Sequence, residues 1–199
     1  MTARFAKRIA GVGVVASMAL SVGCGDVSQG QAPALVVIDA LEAAPGATPT
    51  ELGGSLQSDV VTDGTIFNDV AQVTMRLRSR DPGSPGIGQN PSFLNSVTIN
   101  QYRVEYIRSD GQNVEGVTVP YAFTSAITFT ISNDAATSAG FQIVRHTAKE
   151  EAPLRALREN GDVISTITRV TFYGQDLAGN AVTVVGQIGI DFGDFADPD

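Results

Sequence analysis

Apolar and polar residues alternate with a period of two along much of this chain, which is the spacing of half-buried β-strands. The longest such run spans residues 181–192. There Val182, Val184, Ile188, Ile190 and Phe192 share one parity, with Gly186 among them. A second run spans residues 70–80, where Val73, Met75 and Leu77 alternate with Thr74, Arg76 and Arg78. Ile127, Phe129 and Ile131 alternate with Thr128, Thr130 and Ser132 in a third. Residues 163–174 and 141–146 read as further strands, Leu35–Ile38 as a short apolar one, and 53–61 as a weaker one.

The run at 97–108 changes phase. Val97 and Ile99 share one parity, while Tyr102, Val104 and Tyr106 share the other, so a bulge is expected near Asn100 and Gln101. Asp110-Gly111 then signals a tight turn, and residues 114–123 read as the return strand, with Pro120 placing it at an edge or ending it. Prolines and glycines between 82 and 91 mark an irregular loop. Residues 149–158 are the one helix-like piece, limited to a turn or two by Pro153. About eight strands with frequent turns predict an all-β fold, an antiparallel sandwich, with a barrel as the alternative.

The N-terminus follows different rules. Arg4, Lys7 and Arg8 precede a mostly apolar stretch at 9–22, and Leu20-Ser21-Val22-Gly23-Cys24 follows. The stretch is shorter than the roughly 20 residues of a membrane-spanning helix, and it has the layout of a secretory signal. Cys24 is the only cysteine of the chain. The string resembles the lipobox of bacterial lipoproteins, although Ser21 stands where Leu is usual. That resemblance implies cleavage before Cys24 and lipid attachment to it. It also implies a place in the cell envelope, facing the periplasm or the exterior. The expected organisation is a signal peptide at 1–23, a lipidated cysteine and polar tether at 24–34, a sandwich at 35–192 and an acidic tail at 193–199 that frays beyond Gly193.

Charge narrows the partners. Residues 1–23 hold three of the thirteen basic residues and none of the twenty-one acidic ones. The remainder carries ten basic and twenty-one acidic residues, a formal charge of −11, with Lys149 as its single lysine. Such a domain is repelled by phosphate backbones, so nucleic acid is not an expected partner. Using Cys24 for lipid leaves no cysteine for a disulfide, so a packed core must supply stability.

Two further segments carry a resemblance. Val170-Thr-Phe172-Tyr-Gly174-Gln-Asp176-Leu-Ala178-Gly179-Asn180 resembles the last hairpin of bacterial immunoglobulin-like and hyalin-repeat domains, which have a D-x-A-G-N turn. Asp176 and Asn180 suit capping of that turn, and Gly179 suits its positive φ. Ile99-Asn-Gln-Tyr102-Arg-Val104-Glu-Tyr106 looks like the third strand of fibronectin type III domains. The chain departs from both in lacking Trp and in its length. The resemblance implies an immunoglobulin-like sandwich and no particular ligand.

Candidate chemistry is sparse. His146 is the only histidine, so a His-based metal cluster is excluded within one chain, and its flanks read as a strand end. Asp59, Asp63, Asp69 and Asp176 are candidates for loop-bound calcium, against the simpler reading of turn chemistry. Arg76, Arg78 and Arg80 form a basic stripe suited to an anionic ligand or to protecting an edge strand. Tyr102 and Tyr106 share a face and suit either sugar stacking or the core. Gly86-Ile-Gly88 lacks a βαβ context and reads as plain loop. The expected function is a non-catalytic binding, scaffold or accessory module acting on an envelope protein or polysaccharide, with no cofactor. The alternatives are a carbohydrate- or calcium-dependent adhesion module, or a hydrolase whose site would need His146 or a close carboxylate pair in a pocket.

Overall fold

A computed structural model describes residues 34–80, 91, 93–132 and 135–195. Cys24, the expected signal and the expected tether up to residue 33 lie outside the described residues, as do most of the 82–91 loop and residues 196–199 of the tail, while Ala34 belongs to the first strand rather than to a tether.

Among the described residues, eight strands form two facing sheets. They are β1 (Ala34–Ala44), β2 (Ser55–Asp59), β3 (Asp69–Ser79), β4 (Val97–Ile107), β5 (Phe123–Ile131), β6 (Thr137–Val144), β7 (Ile164–Asp176) and β8 (Ala181–Gly193). One sheet has the order β1-β3-β6, the other β2-β8-β7-β4-β5. This is an all-β sandwich, and its β8-β7-β4-β5 and β1-β3-β6 orders correspond to the G-F-C-C′ and A-B-E orders of immunoglobulin-like folds. All pairings are antiparallel except one: β2 runs parallel to β8, with Ser55 opposite Gly189 and Asp59 opposite Gly193. The chain leaves the first sheet after β1 and joins the edge of the second through β2, so a purely antiparallel sandwich is corrected at this one edge.

The alternation read from the sequence is the burial pattern. Val73, Met75 and Leu77 are fully buried in β3, and Val182, Val184, Ile188, Ile190 and Phe192 face the core from β8. At Gly186, a Cβ would lie 3.0 Å from Ile38 Cδ1 and from Leu41 Cδ2. The glycine therefore lets β1 pack closely against β8 across the sandwich. The expected bulge in β4 is present. The register shifts between Ile99 and Gln101 against both β5 and β7. This shift puts Val97, Ile99, Tyr102, Val104 and Tyr106 all into the core despite their mixed parity.

Tyr102 packs edge-on against Phe141 with ring centroids 4.9 Å apart, and Phe141 meets Phe172 at 5.4 Å. This cluster occupies the interior at β4, where the resemblance would place a Trp. Such aromatic pairs contribute roughly 0.5–1.5 kcal/mol each beyond the area they bury.

Several segments differ from the expectation. The 35–38 strand extends to Ala44, with a register shift between Ile38 and Ala40 that hides its period. Residues 114–123 are not the return strand. Val114 O accepts from the backbone of Val117 and Thr118, Gly116 has φ +72°, and Thr118 Oγ1 accepts from Val114 N and donates to Gln112 O. These local bonds satisfy the backbone as a closed turn, and the strand that returns along β4 begins at Phe123. The 141–146 strand is β6, and it ends at Val144. The helix-like piece is split: α1 spans His146–Lys149 and a 3-10 turn spans Leu154–Glu159, with a cis peptide at Ala152–Pro153 between them. Leu154 and Leu157 are buried there and cap one end of the core. Phe195 does not fray: its N–H donates to Asp59 Oδ1.

Candidate functional site

The least expected cluster lies where β2, β3 and α1 meet. Lys149 Nζ donates to Asp69 Oδ1 at 2.9 Å, and both side chains are 1% exposed. Gly46 N–H donates to the same oxygen at 2.9 Å, and Ser58 Oγ donates to Asp69 Oδ2 at 2.6 Å. Burial pushes the Asp69 carboxyl above its ordinary range, and Lys149, Ser58 and Gly46 pull against that without overcoming it. Nearby, Tyr106 Oη donates to Ile143 O at 2.7 Å, and burial holds its phenol protonated. Arg145 lies over the Phe123 ring, 4.0 Å from its centroid. Arg158 donates to Lys149 O at 2.7 Å.

Each donor around Asp69 comes from a different element, so the group fastens the β1–β2 loop, β2, β3 and the helical connector together. Its chemistry is internal. The carboxylate is surrounded by protein donors and has no open side for a ligand. Composition hinted at this pair only through Lys149, the lone lysine after residue 23.

The calcium candidates are therefore corrected one at a time. Asp69 has a lysine as its counter-ion. Asp176 accepts from Ala178 N–H at 2.9 Å, from Asn180 N–H at 2.8 Å and from Asn180 Nδ2 at 2.8 Å, while Gly179 has φ +84°. This is the capped turn the D-x-A-G-N string predicts. The Asn180 side chain and these backbone donors hold the Asp176 carboxyl below its usual range. Asp59 accepts from Thr62 Oγ1 at 2.6 Å and from Phe195 N–H at 3.2 Å, and Asp63 sits in the following turn at φ +48°. Asp59 and Asp176 lie at opposite ends of β8, about 40 Å apart at a strand's rise per residue. Among the described residues, no group of three or more His, Cys, Asp or Glu side chains is placed to hold a metal ion.

The other candidates also separate. Tyr102 and Tyr106 are core residues, because the bulge turns both inward, so neither presents a ring for sugar stacking. Arg76 is paired with Asp39 across β1 and β3 at 2.6 Å, whereas Arg78 is exposed nearer the end of the strand. His146 begins α1, where its N–H donates to Asn68 Oδ1 at 2.8 Å and its ring stands exposed. An open depression of about 510 Å³ is lined by Glu150, Glu151, Ala152, Arg155 and Ala156, and His146 is not among its lining residues.

The feature most unlike the rest of the surface is a flank. Residues 116–144 contain one charged residue, Asp134, in a chain that is 17% charged. They supply β5 and β6, the terminal strands of the two sheets on the same side of the sandwich. The outward positions of β5, Thr124, Ala126, Thr128 and Thr130, are exposed and uncharged. The outer edge of β5 has no strand partner among the described residues.

No protein-family model matches the chain, and no curated protein matches it. A solved structure described as the X-ray structure of Northeast Structural Genomics Consortium target SoR45 is similar over 81% of this chain and 86% of its own, at 10% identity. Its TM-score is 0.35, and the likeness carries no argument about function. No helix among the described residues is long and apolar enough to cross a membrane.

Proposed function

We propose that this chain is a lipid-anchored envelope protein acting as a non-catalytic binding or scaffold module, and that its partner adds against the β5–β6 flank. The observation that carries this reading is the near absence of charge over residues 116–144, which form both free edges on one side of an otherwise acidic domain. Exposed edge strands are ordinarily blunted by Lys, Pro or inward charge, because their open backbone groups recruit other strands. Here β5 runs for nine residues without Lys, Pro or charge, and its one blunting device is the register shift against β4 between Ala126 and Phe129. An extended segment of an envelope protein can pair with such an edge, with main-chain hydrogen bonds giving affinity. The buried use of Asp69 and Lys149 and the turn duty of Asp176 support the same reading, since these polar groups serve the scaffold.

The anchor and the binding edge are tested separately. A Cys24→Ser variant should lose acyl labelling and leave the membrane fraction; continued membrane retention would sink the anchor. A photo-crosslinking side chain at Thr128 in living cells should give a discrete adduct that the same group at Asp162 does not. Equal adducts from both positions, or none from Thr128, would remove the flank as the binding edge.

A further inference from the structure

The two ends of the sandwich differ in ways that bear on how an anchored domain sits on its membrane. β1 begins at Ala34, opposite Ser79, and at that end of the facing sheet Val97 of β4 lies opposite Asp176 of β7. Among the described residues, four large apolar side chains stand in solvent there: Leu35, at 38% exposed, and three that are more exposed. Phe93 and Leu94, in the 3-10 turn just before β4, are 68% and 64% exposed, and Leu177, in the β7–β8 turn, is 64% exposed. Both turns are held from within, by Ser96 Oγ on Phe93 O and by the Asp176 cap, so the apolar residues are presented on fixed backbone. Arg78 and Arg80 lie exposed at the same end, after the midpoint of β3.

The opposite end is acidic: Glu51, Asp63, Asp110, Glu115, Glu150 and Glu151 are all exposed there. It also exposes Leu52, Phe67, Val114, Val117, Tyr121 and Val163, but most of these stand beside Glu51, Glu115 or Asp162, so charge rather than apolar exposure separates the two ends. Among the described residues, the acid at the Ala34 end is Asp176, which is taken up by its turn.

Chain length adds an independent constraint. Nine residues lie between Cys24 and Ala34, ten steps along the chain, a reach of at most ~35 Å. The thirteen residues of β8 make the sandwich roughly 40 Å long. An anchor on Cys24 therefore holds Ala34 within ~35 Å of the bilayer, about the length of β1, so the Ala34 end is the end the anchor brings nearest to the surface.

We propose that the Ala34 end is a lipid-docking tip. Phe93, Leu94 and Leu177 seat at the boundary between headgroups and acyl chains, and Arg78 and Arg80 lie against anionic headgroups. The inference rests on the lipoprotein reading. It adds an orientation: the tip faces the bilayer, the acidic end faces away, and the long β5–β6 flank stands open to the side. Apolar insertion plus cationic contact is the combination that holds interfacial segments on anionic membranes.

The chain has no tryptophan, so Phe93→Trp creates its only indole. The acylated full chain would be reconstituted in vesicles of phosphatidylethanolamine and phosphatidylglycerol with brominated acyl chains. Phe93→Trp emission should fall by roughly half or more, as for an indole at the acyl boundary, while Val117→Trp at the far end should be nearly unchanged. Equal quenching at both positions, or none at Phe93→Trp, overturns the tip. Mass analysis of Cys24 in the same samples reads the anchor separately. If Cys24 carries no lipid, the lipoprotein reading fails. The same vesicles added to the unmodified chain then decide the tip: quenching of Phe93→Trp keeps it, and no quenching overturns it.

Discussion

Lys149 and Asp69 form an ion pair 2.9 Å long, across eighty residues of sequence, with both side chains 1% exposed. Taking two charges out of water costs several kcal/mol each, and the pair recovers that only with good geometry and further hydrogen bonds. Gly46 and Ser58 supply the extra bonds on the carboxylate side. The pair therefore sets which surfaces meet at this end of the sandwich more than it adds net stability.

Lys149→Met removes the counter-ion and leaves Asp69 buried. Equilibrium urea unfolding at pH 7 should show a loss of about 3–5 kcal/mol. Adding Asp69→Asn should recover more than half of it, because the amide is neutral, its oxygen still accepts from Gly46 N–H, and its Nδ2 can donate to the Ser58 hydroxyl. If the two losses simply add, the two residues are not coupled.

The single variant should also change its pH response. Burial already raises the Asp69 carboxyl above its ordinary 3.8, and Lys149 is its main opposing influence. Without Lys149 it rises further. A carboxyl with a folded pKa above its unfolded one favours folding most below the unfolded value, and that advantage is lost as pH rises through the folded value. Melting measured between pH 4 and 7 should therefore show the Lys149→Met deficit smallest at pH 4. A deficit independent of pH would mean that Asp69 does not become protonated in the folded variant.

Asp176 gives the opposite sign. Its carboxyl is held below 3.8 by Asn180 and by the backbone of the turn. Its contribution is complete above the unfolded value and is lost as pH falls through the folded one. Asp176→Ala should cost about 1.5–3 kcal/mol near pH 7, the scale of hydrogen bonds to a charged group. The gap from the parent should close below about pH 4. A gap that widens in acid would contradict the capping role.

This turn was legible in the sequence because all its chemistry is local: Asp176, Gly179 and Asn180 lie within five residues. The β4 bulge was legible too, since a change of parity between Ile99 and Tyr102 has few other causes. The Asp69–Lys149 pair was not, because nothing near either residue announces a partner eighty positions away. The 114–119 turn was misread as strand because Val114, Val117 and Val119 have strand composition, while the hydroxyl of Thr118 and the positive φ of Gly116 decide the backbone. Strand composition also made Tyr102 and Tyr106 eligible for a surface role, and only the facing sheet shows that both rings are covered.

Tyr106 offers a narrow test of that burial. Its hydroxyl donates to Ile143 O within the core, and its ring packs on Phe192 with centroids 5.5 Å apart. Tyr106→Phe keeps the ring and leaves Ile143 O without this donor, so a loss of about 1–2 kcal/mol in urea unfolding is expected. Tyr102→Ala removes a whole ring from the aromatic cluster and should cost about 3–5 kcal/mol. An unchanged midpoint for Tyr102→Ala would place the ring at the surface after all.

Two glycines in neighbouring strands separate a backbone constraint from a packing one. At Gly174, opposite Ile99 at the bulge, an added Cβ would overlap the carbonyl oxygen of Thr98 and stand 3.0 Å from Ile99 Cα. Those atoms belong to the ladder and cannot move without breaking register. At Gly186 the nearest atoms are the methyl ends of Ile38 and Leu41, both at 3.0 Å, which can rotate aside. Gly174→Ala should therefore cost the more, about 2–3 kcal/mol or loss of the fold, as overpacking against rigid neighbours does. Gly186→Ala should cost about 1 kcal/mol or less, since the lower chain entropy of alanine offsets part of the crowding. Unfolding midpoints of the two variants decide it. If Gly186→Ala proves the worse, the close approach of β1 to β8, rather than the β4 bulge, is the tighter constraint on this sandwich.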